Sequence, residues 1–580
     1  AYLNLKPIKE LTVTSRFAYR LTGMSIYGYN QPYFVNSTVA QNYMSVNATA
    51  SVPVSYQWEN FANFTKNFGK HNVNAMIGTS VRQNVNFSVS GSVYGSDTDL
   101  GFLKLDPRYA YFAYDTPTAT RTISGGEETV GAMYSLFGRV SYDYANKYFF
   151  QASLRNDAAD LSQLPPENRH GYFPAVSAGW TISNEEFMKS LRDKISLSFL
   201  KIRASWGQNG SLGSAYGYLW RASIGSTGYY SFYNADPATG AFNYNAGSAP
   251  TTLGNTELGW EKSEQLDFGF DARFLRDRLT LTFDYFDKTT KDLIISGVTV
   301  STIVGNTASP LNAGSISNKG IEIELGWRDK TGDLTYQVRA NFASLKNKVT
   351  YIHESVDRIN GVNFHTINGI TVFEKGYPAW YFRGYKIKGI DAATGDPVFE
   401  DVVPDGVIND SDKTMLGSPI PDFTYGITLS AQYKGFDLTL FGTGSQGNDI
   451  FMCLVRGDRS QTNIMREFYD DRWTPTNTNA LRPRSGAANI DKYWASSGVV
   501  YDGSYFKIKQ IQLGYTLPKS LLGKIAISNA RVYCSLDDFF TFTSYPGFDP
   551  ETVGTGAGMG VDKGSYPTSK KVVFGVNVTF

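Results

Sequence analysis

The stretch whose reading decides the fold is the last ten residues, Lys571-Val572-Val573-Phe574-Gly575-Val576-Asn577-Val578-Thr579-Phe580. Val572, Phe574, Val576, Val578 and Phe580 share one parity; Val573, Gly575, Asn577 and Thr579 share the other. Side chains alternate across a strand with a period of two, so this is a strand with one apolar face and one face of mostly small or polar groups. Ending on an aromatic of the apolar face, it has the form of a strand that closes an outer-membrane β-barrel. Phe574, Val576, Val578 and Phe580 are then its membrane-assembly face. A soluble edge strand can end the same way, so the rest of the chain must say what medium the apolar side meets.

The same alternation recurs upstream in pairs. Leu266, Phe268, Phe270, Ala272 and Phe274 alternate with Asp267, Gly269, Asp271 and Arg273, and a turn at Leu275 to Asp277 leads into Leu279, Leu281, Phe283 and Tyr285. Ile321, Ile323, Leu325 and Trp327 are followed, after Asp329 to Asp333, by Leu334, Tyr336, Val338, Ala340 and Phe342. Phe423 to Ala431 turns at Lys434-Gly435 into Phe436, Leu438 and Leu440. Earlier, long strands are expected at Leu11 to Tyr29, Met44 to Phe68 and Val73 to Val93. Strands of about 20 residues exceed soluble norms and suit a wall that continues beyond a membrane. A short helix is expected at Asn184 to Arg192.

About 17 strands are counted, with connections alternately short and long. This pattern predicts an all-β fold, a transmembrane antiparallel β-barrel occupying 1–580, with long extracellular loops at about 92–131, 208–262, 352–421, 449–503 and 544–569. A sandwich or propeller is the soluble alternative, and no blade-length repeat supports it.

Composition agrees. Aromatics make up 15% of the 580 residues and Gly numbers 56, which suits girdled strands and tight turns. The 54 basic and 53 acidic side chains cancel, so no global field argues for nucleic acid. No apolar run reaches the length of a spanning helix. Cys453 and Cys534 lie far apart, and His71, His170, His353 and His365 are scattered, without zinc spacing.

Several ordered stretches resemble the SusC/RagA family of TonB-dependent outer-membrane transporters. They begin with Pro7-Ile8-Lys9-Glu10-Leu11-Thr12-Val13, Gly171-Tyr172-Phe173-Pro174-Ala175-Val176-Ser177-Ala178-Gly179-Trp180 and Leu200-Lys201-Ile202-Arg203-Ala204-Ser205-Trp206-Gly207-Gln208-Asn209-Gly210. Asn318-Lys319-Gly320-Ile321-Glu322, Asp502-Gly503-Ser504-Tyr505-Phe506-Lys507-Ile508-Lys509, Leu513-Gly514-Tyr515-Thr516-Leu517-Pro518 and Tyr545-Pro546-Gly547-Phe548-Asp549-Pro550-Glu551 continue the series. The resemblance covers nearly the whole chain. It implies a family barrel of about 22 strands, plugged by an N-terminal domain and capped by a SusD-like lipoprotein. It also implies import of oligosaccharide or peptide, driven by TonB-ExbB-ExbD, in the outer membrane of a Gram-negative, Bacteroidetes-type bacterium. The barrel-assembly machinery would read Phe580. The chain shows no TonB box and no plug, and about five strands fewer than that barrel, so it is expected to be the C-terminal portion of a longer protein. Alternatives are a siderophore- or cobalamin-type receptor, a non-transporting adhesin barrel and, third, an outer-membrane enzyme.

One segment has the outline of a calcium loop. In Asp401 to Asp412, the residues Asp401, Asp405, Val407 (by its carbonyl), Asn409 and Asp412 fall at positions 1, 5, 7, 9 and 12, with Gly406 at the sharp turn. Val403 at position 3 offers no side-chain oxygen, and an Asp/Gly/Asn turn is the plainer reading. Trp220, Trp380, Trp473 and Trp494, with Arg456 and Asp458, are candidate ligand contacts, because aromatic faces suit sugar stacking and charged groups suit polar cargo. Loop packing accounts for the same tryptophans, Trp260 among them. No enzymatic constellation stands out: there is no Gly-x-Ser-x-Gly elbow, and Asp537 and Asp538 point to opposite faces of one strand.

Overall fold

The computed structural model describes every residue except 32, 37, 38, 42, 97–111, 113–119, 214–216, 236–241, 297–302, 304, 355, 365, 366, 455–462 and 524–526. Nineteen strands form one antiparallel sheet, from Tyr2–Ile8 to Lys571–Thr579. Leu11–Leu21 and Met24–Asn30 share one partner, Tyr43–Phe68, while Leu334–Ser344 and Lys346–Ile352 share Leu311–Thr331. The nineteen strands therefore occupy seventeen wall positions. Among the described residues, the first and last strands each have one partner.

Register shows why the alternation matters. Leu281 faces Leu325, Leu325 faces Ala340, and Ala340 faces Ile427, so the apolar parity passes unbroken across four strands. Leu440, Ile511, Leu536 and Val572 do the same at the far end of the wall. Many of these apolar side chains stand open on the outer surface: Phe268, Leu325, Ile427, Leu513, Phe574 and Val576 are all exposed. No protein layer covers them, and a continuous apolar band of this kind is the face a barrel turns to lipid. Each backbone group along the ladders is meanwhile satisfied by its neighbour, which is what hydrocarbon demands. The final strand pairs with Asn529–Thr543, Val532 opposite Val576 and Cys534 opposite Phe574.

Short turns gather at one end of the wall. At Lys434 (φ 47°) and Gly435 (φ 89°) both central residues are left-handed, the turn form whose twist matches the strands it joins. The helix expected at 184–192 is a short 3₁₀ turn, Glu186–Met188, leading into Lys189–Ile195 at this same end.

The opposite end carries the long connections, and here the structure corrects the sequence reading. Tyr43–Phe68 and His71–Ser96 are 26 residues each. A strand crosses the membrane with about 9–11 residues, so more than half of each stands outside lipid. The loop placed at 92–131 is shorter than expected, because the wall continues to Ser96 and resumes at Thr120. The apolar alternation fades above the membrane, where both faces are wet, while the backbone ladder goes on. Within 208–262, the wall strand runs to Ser211, a separate hairpin forms from Ser223–Ala235 and Phe242–Thr252, and the next wall strand starts at Glu261.

The largest difference lies in 353–422, 447–504 and 544–570. These are not independent loops. They contain a four-stranded sheet (Arg358–Asn360, Thr371–Glu374, Tyr381–Gly384, Thr414–Gly417) and a three-stranded sheet (Val500–Asp502, Asp449–Met452, Val561–Asp562). Phe382, Ile370, Ile450, Phe451, Met452, Tyr493, Val499 and Val561 pack into one core between them, each at most 3% exposed. The three connections fold together as a cored cap on the outward end of the wall.

Candidate functional site

The inner face of the wall carries the opposite parity, and its charges pair within the sheet. Arg203 donates to Asp284 Oδ2 at 2.6 Å and to Asp271 Oδ2 at 3.2 Å. It reaches Asp284 by crossing the strand that holds Gly269, where a Cβ would stand 2.2 Å from Asp284 Oδ1 and 3.0 Å from Arg203 Cζ. Arg531 and Asp437 pair across Gly514 in the same way, with Nε to Oδ1 at 2.9 Å. Arg155 holds Asp157 Oδ1 and Ser135 Oγ, both at 2.7 Å. Near the short-turn end, a cavity of about 440 Å³ opens on this face, lined by Asn67, Asn72, Ser141, Gln151, Lys201 and Asp267 among others. The inner surface is thus a dense set of hydrogen-bonding groups, with several of its charges paired within the sheet.

The cap is fastened to the wall by a buried ion cluster. Lys507, 1% exposed on the wall strand Tyr505–Thr516, donates to Asp549 Oδ2 at 2.9 Å, Glu551 Oε2 at 2.7 Å and Thr568 Oγ1 at 3.4 Å. Lys509 adds Glu551 at 2.6 Å and Asp538 at 3.2 Å. Burial opposes ionisation of Asp549, but Lys507 and the N–H groups of Thr568 and Glu551 hold its carboxyl below the usual range. Inside the cap, Arg482 donates to Gly498 O at 2.6 Å and to the Tyr501 hydroxyl at 2.8 Å, and lies 4.5 Å from the Phe468 ring centre. The Tyr545 hydroxyl donates to Asp562 Oδ2 at 2.6 Å.

Comparison with known proteins places this architecture. Residues 3–530 match the family model described as TonB dependent receptor-like, beta-barrel. The chain belongs to this family. A TonB-dependent receptor of Formosa agariphila is 30% identical over 90% of this chain and 52% of its own length. The TonB-dependent receptor SusC of Bacteroides thetaiotaomicron is 27% identical over 90% and 49% respectively. The chain spans about half the length of these curated relatives. The solved structure of the RagAB peptide transporter covers 100% of this chain and 61% of that one, with a TM-score of 0.81 at 24% identity, a likeness of fold. As a TonB dependent receptor-like barrel, the chain is an outer-membrane protein, and its apolar outer face is the lipid face.

The structure scatters the tryptophans of the receptor barrel among separate clusters. Trp220 Nε1 donates to Leu161 O at 2.9 Å and Trp260 Nε1 to Arg169 O at 3.0 Å, both around the small core of Leu164, Leu212 and Leu258. Trp380 packs on Val349, Phe373 and Ala379. Trp473 donates to Ala392 O at 3.0 Å and covers Gly395. Trp494 is a core residue of the cap, 8% exposed against Phe468 and Tyr493, so its ring face is not open to cargo. Arg456 and Asp458, with Arg459, lie outside the described residues, as does His365. Cys453 is a free thiol that burial pushes up to about 12, so it stays neutral and inert. Cys534, also free, lies on the apolar parity opposite Leu513 and Phe574.

The 401–412 loop turns several of its oxygens back on its own backbone, while Asp401 Oδ1 is buried with no hydrogen-bond partner among the described residues. Asp412, fully buried, accepts from the N–H groups of Val402, Val403 and Asn409 at 2.9, 3.1 and 2.8 Å. Those backbone donors, Asn409 first, hold its carboxyl below the ordinary range. Asp401 Oδ2 accepts from Gly406, Asp405 Oδ1 from Val407, and the Val407 carbonyl accepts from Asn409 Nδ2. Among the described residues no group of three or more His, Cys, Asp or Glu could hold a metal ion. Asx-type turns and a capping box account for the Asp/Asn/Gly pattern.

Proposed function

We propose that the chain is the wall and outward mouth of an active importer of oligosaccharides or peptides. The observation that carries this reading is the combination of a lipid-facing wall, a polar inner face and a cored cap at one end. The wall excludes lipid, the inner face offers replaceable hydrogen bonds to a hydrated solute, and the cap holds the solute before passage. The names of its relatives, SusC and the RagAB peptide transporter, support a SusD-like lipoprotein over the cap and energy delivered by TonB-ExbB-ExbD. The exposure of Phe580, 89% at the end of the last strand, supports its reading by the barrel-assembly machinery.

Two measurements test the reading on the full-length protein. A SusD-like lipoprotein should copurify with it, and uptake of a growth-supporting glycan or peptide should stop when TonB is removed. Uptake that is indifferent to TonB would overturn the proposal.

A further inference from the structure

On the cap, four cations from distant parts of the sequence surround one small cavity. It measures about 360 Å³ and is lined by Arg358, Arg383, Lys413 and Lys492 together with Asp410, Asp491 and the amides of Asn360 and Asn368. Asp410 is shared three ways, with Lys413 Nζ at 2.7 Å, Arg358 Nη2 at 3.3 Å and Arg383 Nη1 at 3.5 Å. Lys492 Nζ donates to the Ile408 carbonyl at 2.7 Å and lies 6.0 Å from the Tyr385 ring centre; no ion pair among the described residues engages it. Lys413 stands over the same ring at 5.4 Å. Four positive charges thus line the cavity against two negative ones. The nearby Asp412 carboxylate does not line it, and three backbone N–H groups already saturate it.

We infer that this cavity binds one oxyanion group of the cargo, the carboxylate or sulfate of an acidic sugar. The geometry points there for three reasons. First, the side chains of Arg383 and Lys413 are only 10% and 15% exposed, so their charges are poorly screened by water. Second, the Asp410 side chain is 60% exposed and its carboxylate's two arginine contacts are long, so an incoming oxyanion can take them over while that carboxylate turns to water, Arg383 staying oriented by its 3.0 Å bond to the Asp410 carbonyl. Exposed pairs of that kind contribute little, and a guanidinium holds a carboxylate or sulfate in a bidentate fork. Third, the lining is mostly charged and amide-bearing, with Ile367, Ala495 and the Tyr385 ring its apolar side chains among the described residues, and the volume suits about one sugar ring. This favours an acidic sugar over an acidic peptide, whose neighbouring side chains need apolar shelves.

The inference rests on the importer reading, and the test separates the two. Binding to detergent-purified full-length protein is measured at constant ionic strength with trigalacturonate, maltotriose and a triglutamate peptide as probes. Trigalacturonate should bind at least about tenfold more tightly than maltotriose. Lys492→Gln and Arg383→Gln should each reduce that preference severalfold with unchanged melting temperature; Lys492→Gln keeps a donor for Ile408 O and guards against misfolding. Equal binding of the acidic and neutral trisaccharides, or retained preference in both variants, overturns the inference. Preference for triglutamate overturns the acidic-sugar assignment. No step of this assay involves TonB, so failed TonB-dependent uptake with intact acidic preference sinks the importer reading alone.

Discussion

The wall and the cap solve the burial problem in opposite senses. The wall shows its apolar residues outward, with Phe574 and Val576 exposed, and pairs its charges inward, as Arg203 does with Asp284. The cap does the reverse: Phe382, Phe451 and Tyr493 are enclosed, and four of its cations line a surface cavity. One chain therefore folds against two solvents, lipid along its strands and water above them. The ion cluster of Lys507, Asp549 and Glu551 sits where the two regimes join.

The comparison is open to attack, most strongly at that joint. Lys507→Ala should cost about 3–5 kcal/mol, because it leaves Asp549 buried and uncompensated. Its signature should be a cap that becomes protease-sensitive while the barrel keeps its heat-modifiable gel mobility. Equal loss of both would mean that wall and cap are not separable. Next, Phe451→Ala in the cap core should cost about 3–4 kcal/mol in chemical denaturation. Phe574→Ala, at a lipid-exposed position, should cost clearly less; equal costs would break the inside-out contrast.

Neighbouring positions on a single wall strand sharpen the contrast further. Leu513→Arg puts a charge on the lipid face and should cost up to about 2–4 kcal/mol of barrel stability, whereas Gln512→Arg on the inner parity should be near neutral. Folding titrations into lipid vesicles measure both.

The smallest effect concerns pH. The folded Asp412 carboxyl lies below its unfolded value, so its stabilisation is fully present above the ordinary carboxylate range of about pH 4. It is lost as pH falls from there through the lowered folded value. Exchange of the Val402 and Val403 amides should therefore stay protected at neutral pH and accelerate only in strong acid. In Asp412→Asn the protection should be weak and free of that acid step.

The wall was legible because its code is local. Each strand declares itself by period two, and the last strand pairs with the one before it in the wall, Val532 opposite Val576, as antiparallel chain order requires. The tryptophans and the 401–412 loop show where local reading stops. Trp494 carries the same composition signal as an open stacking platform, yet Phe468 and Tyr493 enclose it. Asp401 to Asp412 has near-calcium spacing, but several of its oxygens fold back on its own N–H groups. The cationic cavity had no signal at all, since Arg358 and Lys492 are joined only by the packing of two separate connections.

By itself, then, the amino-acid order determined the all-β wall, which residues meet lipid and which line the interior, because strand periodicity and antiparallel chain order leave few alternatives. Only the tertiary structure decided that three long connections share one core, which tryptophans are buried, and which distant charges meet. Those outcomes depend on irregular segments packing across more than a hundred residues of sequence, as Thr371 Oγ1 does on the carbonyl of Ala557 at 2.7 Å, and no short-range period records such contacts.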